Sequence, residues 1–207
     1  MFPVTKKLMR LKPSAILFDM DGVLVDSLDA WWSSLNSSLE TFEYEPISRE
    51  EFIKKYWGHD LFDNLKTMKI PLKVGKFCNN VYGEHVNQIK IYPETKDTLQ
   101  KLVNYKKSIL TNTPKDCTVQ ILKKFDIDRY FELVLTSDDV SVAKPDPEIV
   151  LKSCKLLNVK PKDVVLVGDT DSDVKAGKAA GCTVIGINVK ADYTVKDVSG
   201  ILSLISL

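Results

Sequence analysis

The segment Ala15-Ile16-Leu17-Phe18-Asp19-Met20-Asp21-Gly22-Val23 decides the fold, because an apolar run is followed at once by two carboxylates. The apolar run predicts a buried parallel strand. Residues two apart in an extended chain project to the same side, so Asp19 and Asp21 can address one reacting centre. Gly22 lets the chain turn away without a Cβ clash. One carboxylate can attack phosphorus while its neighbour acts as general acid and base. The alternative is that both aspartates cap a turn.

A second strand end carries hydrogen-bonding side chains. Residues 107–114 predict a short strand ending in Thr111 and Asn112, then a helix with Thr113 as N-cap and Pro114 in its first turn. The Thr111 hydroxyl, the Asn112 amide and free backbone N–H groups are suitable donors to a phosphoryl oxygen. Helix capping alone explains the same residues without a ligand.

Lys144 lies in a loop before a predicted helix that has Asp146 as N-cap and Pro147 as its first residue. A compact ammonium fixed by the following proline can neutralise phosphate charge, or hold an attacking carboxylate as an anion. An ordinary solvated lysine is the alternative.

Three acids in five residues, Asp169, Asp171 and Asp173, follow the apolar run 164–167. Mg²⁺ prefers oxygen ligands and usually takes one or two carboxylates together with water and substrate phosphate. Asp169 is nearest the strand end and is the best candidate ligand, and Asp173 can orient a water bound to the ion. The helix dipole alone accounts for Asp171 and Asp173 but explains Asp169 less well.

Together these segments resemble, in order and spacing, the four motifs of the haloacid dehalogenase superfamily. The strings 18–27 and 144–147 are similar to its phosphoglycolate phosphatase and β-phosphoglucomutase branch, and almost the whole chain is covered. The resemblance implies Mg²⁺ as cofactor, Asp19 as nucleophile and Asp21 as general acid and base, with the Asp21 carbonyl helping to bind the metal. The expected site comprises catalytic Asp19 and Asp21, phosphate-binding Gly22, Thr111, Asn112 and Lys144, and metal-binding Asp19, Asp21 and Asp169 with Asp173 acting indirectly.

Hydrophobic periodicity predicts an α/β fold. Helix-like stretches separate most of the apolar segments, and this alternation indicates a parallel sheet with ligands at the carboxyl ends of its strands. The predicted strands are 15–18, 108–111, 133–136, 164–167 and 183–187. The resemblance adds a Rossmann-like core with helices on both faces and a small α-helical cap inserted after the first motif. We expect the core at residues 1–26 and 95–207 and the cap at 27–94.

The inserted segment has a helical texture of its own. Its first helix is predicted behind Ser27 as N-cap, with a second near 48–57, a break at Gly58, and a third from Leu61 to Met68. The apolar positions of the first helix recur every three or four residues: Leu28, Trp31, Leu35, Leu39 and Phe42.

Substrate choice is expected to depend on the loop 57–61, which in this branch often faces the active site. His59 and Asp60 are therefore candidate specificity residues. The alternative is that both are ordinary polar residues on the protein surface. Sugar phosphomutases of the branch typically carry a histidine and an arginine where this chain has Trp31 and Leu61. The expected function is thus a phosphatase acting on a small phosphorylated metabolite through an aspartyl-phosphate, with a phosphomutase as alternative. Dehalogenation has no use for Asp21 or a metal.

Composition excludes other classes. The chain has 29 basic and 28 acidic residues and a net charge of +1, so nucleic acid is not an expected partner. The basic start, with Lys6 and Lys7, has no long apolar run behind it, so we expect a solvated tail and no membrane partner. Four scattered cysteines predict reduced thiols in the cytoplasm. The expected partner is a small-molecule phosphoester, and the expected state a monomer or weak homodimer.

Overall fold

The computed structural model describes residues 10–207, and eight strands and nine helices lie within that range. The strands are β1 Ala15–Phe18, β2 Val25–Asp26, β3 Lys90–Ile91, β4 Lys106–Leu110, β5 Leu133–Leu135, β6 Val164–Gly168, β7 Thr183–Ile187 and β8 Tyr193–Val195. The helices are α1 Leu28–Thr41, α2 Arg49–Lys55, α3 Leu61–Thr67, α4 Leu72–His85, α5 Thr95–Lys101, α6 Lys115–Lys124, α7 Glu148–Leu156, α8 Asp171–Ala180 and α9 Ile201–Leu204.

Six strands form one parallel sheet in the order β5-β4-β1-β6-β7-β8. Successive residues of β1 face opposite sides of the sheet, as the pleat requires. Phe18 lies in one core cluster with Leu99 of α5 and Ile121 of α6, whereas Leu17 lies in another with Ile149 of α7 and Val174 of α8. Helices therefore cover both faces, and the predicted Rossmann-like α/β fold is confirmed.

The strand predictions agree with the structure in the centre of the sheet and fail at its periphery. β1 and β7 have the predicted bounds, and β4, β5 and β6 differ from theirs by one or two residues. The edge strand β8 was not predicted, because three residues are too few to show a period. The short antiparallel pair β2–β3 was not predicted either; it joins Val25 to Ile91 and Asp26 to Lys90.

The pair β2–β3 sits where the chain leaves the sheet and returns to it. Between its two strands lie the four helices α1–α4, which share an apolar cluster that includes Leu35, Phe52, Leu65 and Val74. The expected small helical cap is thus present. Helices α1, α2 and α3 fall in the predicted stretches, while α4 was not delimited from the sequence. The domain boundaries at 27 and 94 stay predictions.

At the N-terminus, Lys6 and Lys7 of the expected solvated tail lie outside the described residues. Leu11 is fixed to the C-terminal segment, since its N–H donates to the Leu204 carbonyl at 2.7 Å and its carbonyl accepts from Ser206 N–H at 2.9 Å. Among helices within residues 10–207, none combines the length and apolar character that crossing a bilayer requires.

Candidate active site

The four predicted segments meet in one cavity at the carboxyl ends of β1, β4 and β6, beneath the helical insertion. Its volume is about 70 Å³. From the sheet side it is lined by Asp19, Asp21, Thr111, Asn112, Thr113, Lys144, Asp169 and Thr170, and from the insertion by Trp31, Leu35, Phe52, Tyr56, Trp57, Gly58, His59, Leu61 and Asn64.

Asp19 is buried directly after β1, and only one of its two carboxylate oxygens, Oδ1, is held by contacts in the described chain. Oδ1 accepts from the Met20 N–H at 2.8 Å and lies 2.9 Å from the Lys144 ammonium. In the described chain the hydrogen bonds to this carboxylate all reach Oδ1, which leaves Oδ2 available for attack. Burial raises the pKa of Asp19 well above its usual value, the negative charge of Asp173 raises it further, and Lys144 opposes both.

Lys144 is buried and joins two carboxylates. Its Nζ lies 2.7 Å from Asp173 Oδ1 and donates to the Leu110 carbonyl at 2.8 Å, in addition to its contact with Asp19. Burial by itself lowers the pKa of Lys144, but the charges of Asp173 and Asp19 outweigh that cost, and the pKa is raised overall. Lys144 therefore remains an ammonium, and it is not the solvated surface lysine of the alternative interpretation.

Asn112 holds the backbone of Lys144 in place. Its Nδ2 donates to the Lys144 carbonyl at 3.1 Å, and its Oδ1 accepts from the Lys144 N–H at 3.1 Å. We expected the Asn112 amide to donate to a phosphoryl oxygen. The structure pairs the amide with a neighbouring peptide instead, because the loop carrying Lys144 crosses beside the end of β4.

Asp21 is surrounded by hydroxyl groups. Its Oδ1 accepts from Ser27, and its Oδ2 accepts from Thr113 at 2.7 Å and from Thr111 at 3.2 Å. Burial raises the pKa of Asp21, and the three hydrogen bonds from Ser27, Thr113 and Thr111 partly offset the shift. The predicted phosphate-binding Thr111 thus touches Asp21 in this structure.

Two of these hydroxyl residues were predicted as helix N-caps, and the prediction for Thr113 was wrong, whereas Ser27 stands at the N-cap position of α1. Helix α6 begins at Lys115 with Pro114 before it, so Thr113 is too early to cap it and reaches Asp21 instead. Ser27 does precede α1, but its side chain makes no capping hydrogen bond. A hydroxyl residue at a strand or helix boundary was the only signal available in the sequence. Similarly, α7 begins at Glu148, one residue later than predicted.

Asp169 and Asp173 form an acidic cluster with Asp19, in which one carboxylate oxygen of each lies within 4.8 Å of the others. Asp169 Oδ1 is buried without a hydrogen-bond partner in the described chain. Burial, aided by the charge of Asp173, raises the pKa of Asp169 to about 7. An unpartnered oxygen among converging carboxylates fits a divalent cation such as Mg²⁺.

Asp173 is engaged elsewhere. Its Oδ1 contacts Lys144, and its Oδ2 accepts from the N–H and hydroxyl of Thr170 in a capping box at the start of α8. Because both oxygens are occupied, its arrangement suits the indirect role predicted for it. Asp171 is exposed in the first turn of α8.

Gly22 allows the first and fourth motifs to approach. Its φ is +75°, and a Cβ there would lie 2.0 Å from Asp169 Oδ2. A side chain at this position would therefore displace the Asp169 carboxylate.

The loop between α2 and α3 lies against the fourth motif. Trp57 Nε1 donates to Asp169 Oδ2 at 3.4 Å, and a Cβ on Gly58, whose φ is +79°, would lie 2.4 Å from Thr170 Cγ2. Trp57 was not named as a candidate site residue, although the loop 57–61 that was expected to face the active site begins with it. His59 lines the cavity as expected, although it is largely exposed.

Asp60 does not line the cavity. Its Oδ1 accepts from Phe62 N–H at 2.9 Å and Asp63 N–H at 3.2 Å, so it is the N-cap of α3. The expectation that Asp60 contacts the leaving group is corrected accordingly, because its carboxylate satisfies the free N–H groups of the helix.

Residues 16–187 match the family model of the haloacid dehalogenase-like hydrolases, and the chain belongs to this family. Over 212 residues it is 27% identical to pyrophosphatase PpaX of Bacillus cereus (strain Q1), covering 95% of this chain and 98% of that protein. The crystal structure of a predicted phosphoglycolate phosphatase from Haemophilus somnus 129PT is similar at 26% identity and a TM-score of 0.75, covering 91% of this chain and 96% of that one.

A β-phosphoglucomutase from Clostridium difficile has a TM-score of 0.80 at 20% identity, with 91% of this chain and 92% of that chain covered, which is a likeness of fold alone. The family model confirms the predicted family. A phosphoglycolate phosphatase and a β-phosphoglucomutase, the two kinds of protein that define the predicted branch, are both among the similar structures. The chain is a hydrolase with phosphatase relatives. The expected enzyme class, phosphoric ester hydrolase, is therefore confirmed.

Proposed function

We propose that the protein is a Mg²⁺-dependent phosphatase that hydrolyses a small phosphomonoester through an aspartyl-phosphate on Asp19. The observation that carries the proposal is the pairing of Asp19 and Asp21 in one cavity with different partners. Asp19 contacts an ammonium and a backbone N–H, whereas Asp21 contacts three hydroxyls.

In the first half-reaction, Asp19 Oδ2 attacks phosphorus and the bond from phosphorus to the ester oxygen breaks. Asp21 gives its proton to the departing oxygen, a role supported by its raised pKa. In the second half-reaction, Asp21 removes a proton from water, which attacks phosphorus and releases phosphate and the Asp19 carboxylate. Lys144 holds Asp19 in place and offsets negative charge throughout.

Asp169, Asp19 and the Asp21 carbonyl are the groups proposed to hold Mg²⁺, with Asp173 proposed to orient a water bound to the ion. When bound, the ion neutralises charge on the phosphoryl oxygens. This assignment is supported by Asp169 Oδ1, which is buried and has no hydrogen-bond partner among residues 10–207.

The alternative of a phosphomutase is less well supported. The resemblance implies that Trp31 and Leu61 stand where the mutases of the branch typically carry a histidine and an arginine, and both residues line the cavity. Neither side chain has a group that titrates near neutral pH or a positive charge that could pair with a second phosphate. A phosphate-binding protein without activity would not need both Asp19 and Asp21.

A cytoplasmic location is part of the proposal. The four cysteines, Cys78, Cys117, Cys154 and Cys182, are buried free thiols, which suits a reducing compartment.

A screen of phosphate release over small phosphoesters, with and without Mg²⁺, tests the proposal. We expect turnover of at least one ester that requires Mg²⁺ and is lost in Asp19→Asn. Release that needed neither Mg²⁺ nor Asp19 would reject it. Turnover that required added bisphosphate and isomerised the substrate would favour the mutase.

A further inference from the structure

The charges around the cavity are strongly unbalanced. Four carboxylates, those of Asp19, Asp21, Asp169 and Asp173, surround the ammonium of Lys144, which is the one lysine or arginine side chain that lines the cavity among residues 10–207. That ammonium already contacts two of the carboxylates, at 2.9 and 2.7 Å. One divalent cation and a phosphoryl dianion would leave no positive charge in excess, so the sheet side has nothing to offer a second anionic group on the substrate.

The insertion side supplies no compensating cation. Of its lining residues within the described chain, only His59 can carry a positive charge, and it is largely exposed. The lysines of the neighbouring helices α2 and α3 are exposed and do not line the cavity: Lys55 pairs with Glu51, Lys66 pairs with Asp63, and Lys54 is exposed.

The wall that covers the cavity is apolar and aromatic. It is made by Trp31, Leu35, Phe52, Tyr56, Trp57 and Leu61. Two polar groups that line the cavity from the insertion, one in the wall and one beside it, already have partners. The indole N–H of Trp57 donates to Asp169, and the amide of Asn64 donates to the Tyr56 carbonyl at 2.9 Å. The remaining donors of the wall, the Trp31 indole N–H and the Tyr56 hydroxyl, are neutral, so a carboxylate or phosphate placed against this wall would lose hydration without an opposite charge beside it, which is costly.

We propose that the natural substrate is a phosphomonoester whose leaving group is small and uncharged and places apolar surface against this wall. The inference rests on the proposed phosphatase function and specifies its substrate class. The small cavity volume of about 70 Å³, which the phosphoryl group must share, favours a small leaving group.

The direct test compares matched substrates on the wild-type enzyme with Mg²⁺. 2-Phosphoglycolate and its neutral amide differ only in the charge of the leaving group, and n-propyl phosphate and inorganic pyrophosphate extend the comparison. We expect kcat/KM for the amide and the propyl ester to exceed that for both anionic compounds by at least about tenfold. Equal or faster hydrolysis of the anionic compounds would overturn the inference while leaving the phosphatase intact. No release from any ester would reject the phosphatase and this inference with it.

A charge placed in the wall tests its contact with the leaving group. Leu61 lines the cavity as the first residue of α3, so Leu61→Lys should raise the ratio of kcat/KM for phosphoglycolate over its amide by at least about tenfold. Leu72→Lys is the matched control, because Leu72 is exposed at the first position of α4 and does not line the cavity. A folded Leu61→Lys variant with the wild-type ratio would show that the wall does not face the leaving group. If that variant does not fold, the wild-type comparison decides.

Discussion

Asp19 and Asp21 are two residues apart in the chain, yet their surroundings suit them to different tasks. An ammonium contact favours the anionic form that a nucleophile needs, and Asp19 has one. Burial raises the pKa of both acids, so the difference lies in their contacts: Asp21 has three neutral hydroxyl donors, which fix its orientation, and Lys144 does not contact it. Pairs of acids with unlike environments divide the roles of acid and nucleophile in this way.

The hydroxyl of Thr113 should matter for turnover through Asp21. Thr113→Val keeps the side-chain shape but removes the 2.7 Å hydrogen bond, so we expect kcat to fall by about ten- to a hundredfold with little change in KM. Because that hydrogen bond lowers the pKa of Asp21, the limb of the pH profile that reports Asp21 should move to higher pH. Thr98→Val is the control, since Thr98 is buried and its hydroxyl has no partner in the described chain. An unchanged kcat and pH profile would argue against a role for Thr113.

A comparison of variants at Asp169 and Asp171 distinguishes a metal-binding role from a helix-capping role. Asp169→Ala removes a carboxylate that lies in the cavity beside Asp19, whereas Asp171→Ala alters an exposed first-turn residue of α8. Titration calorimetry should show Mg²⁺ affinity at least about tenfold weaker in Asp169→Ala and close to wild type in Asp171→Ala. Equal affinities in the two variants would return the fourth motif to a capping role.

The acids and the lysine were predictable because each follows a strand or precedes a helix, and parallel strands bring such ends to one edge. The contacts of Thr113, Ser27 and Trp57 with Asp21 and Asp169 were not predicted, because they depend on residues distant in the chain or on helix bounds that shift by one or two positions.

At the scale of elements, the helical insertion is attached by the pair β2–β3 and contacts the sheet domain again through its second loop. The left-handed Gly58 lies against Thr170, and Trp57 reaches Asp169. Strong periodicity made α1 predictable, and continuous apolar runs did the same for β1 and β6. The two-residue strands of β2–β3 and the three-residue β8 are specified by pairing with distant segments, and no local pattern marks them.

Asp60 should act on stability and not on substrate choice. Removing the N-cap of α3 in Asp60→Ala is expected to cost about 1 kcal/mol of folding free energy, which lowers Tm by about 2 to 4 °C. Asp60→Asn should restore most of it, because asparagine caps helices equally well. Thermal unfolding and kcat/KM for two esters measure both effects. A changed ratio between the esters at wild-type Tm would reinstate Asp60 as a specificity residue.

At the scale of the whole molecule, the fold concentrates like charges in its interior. Asp19, Asp21 and Asp169 all have a raised pKa in the folded protein, chiefly through burial. Folding therefore opposes ionisation of the carboxylates that are proposed to bind the cation and attack the phosphate. The ionised site lowers the free energy of unfolding.

The raised pKa values of these carboxylates predict how the stability of the folded protein depends on pH. Between the usual carboxyl pKa of 3.8 and the raised values, about 7 for Asp169, the folded protein retains protons that the unfolded chain has lost. Stability therefore decreases as pH rises through this window. Without metal, Tm should be higher at pH 5.5 than at pH 8 by about 5 °C or more, and Mg²⁺ should raise Tm more at pH 8.

The control is a neutral residue at the same position. Asp169→Asn should reduce the difference in Tm between pH 5.5 and pH 8, whereas Asp171→Asn at an exposed position should leave it near the wild-type value. A metal-free Tm that increased from pH 5.5 to pH 8 would contradict the prediction.

The central claim is that Asp19 becomes phosphorylated during turnover, and trapping that species tests it most directly. Enzyme mixed with Mg²⁺ and a substrate found in the screen should be quenched in acid during the steady state and mapped by mass spectrometry. We predict a phosphate adduct on the peptide that contains Asp19, absent from the Asp19→Asn variant and increased in Asp21→Asn if leaving-group departure still proceeds, because Asp21 is needed to activate water. Turnover by the wild type with no adduct on Asp19, or with an adduct on another residue, would contradict the account.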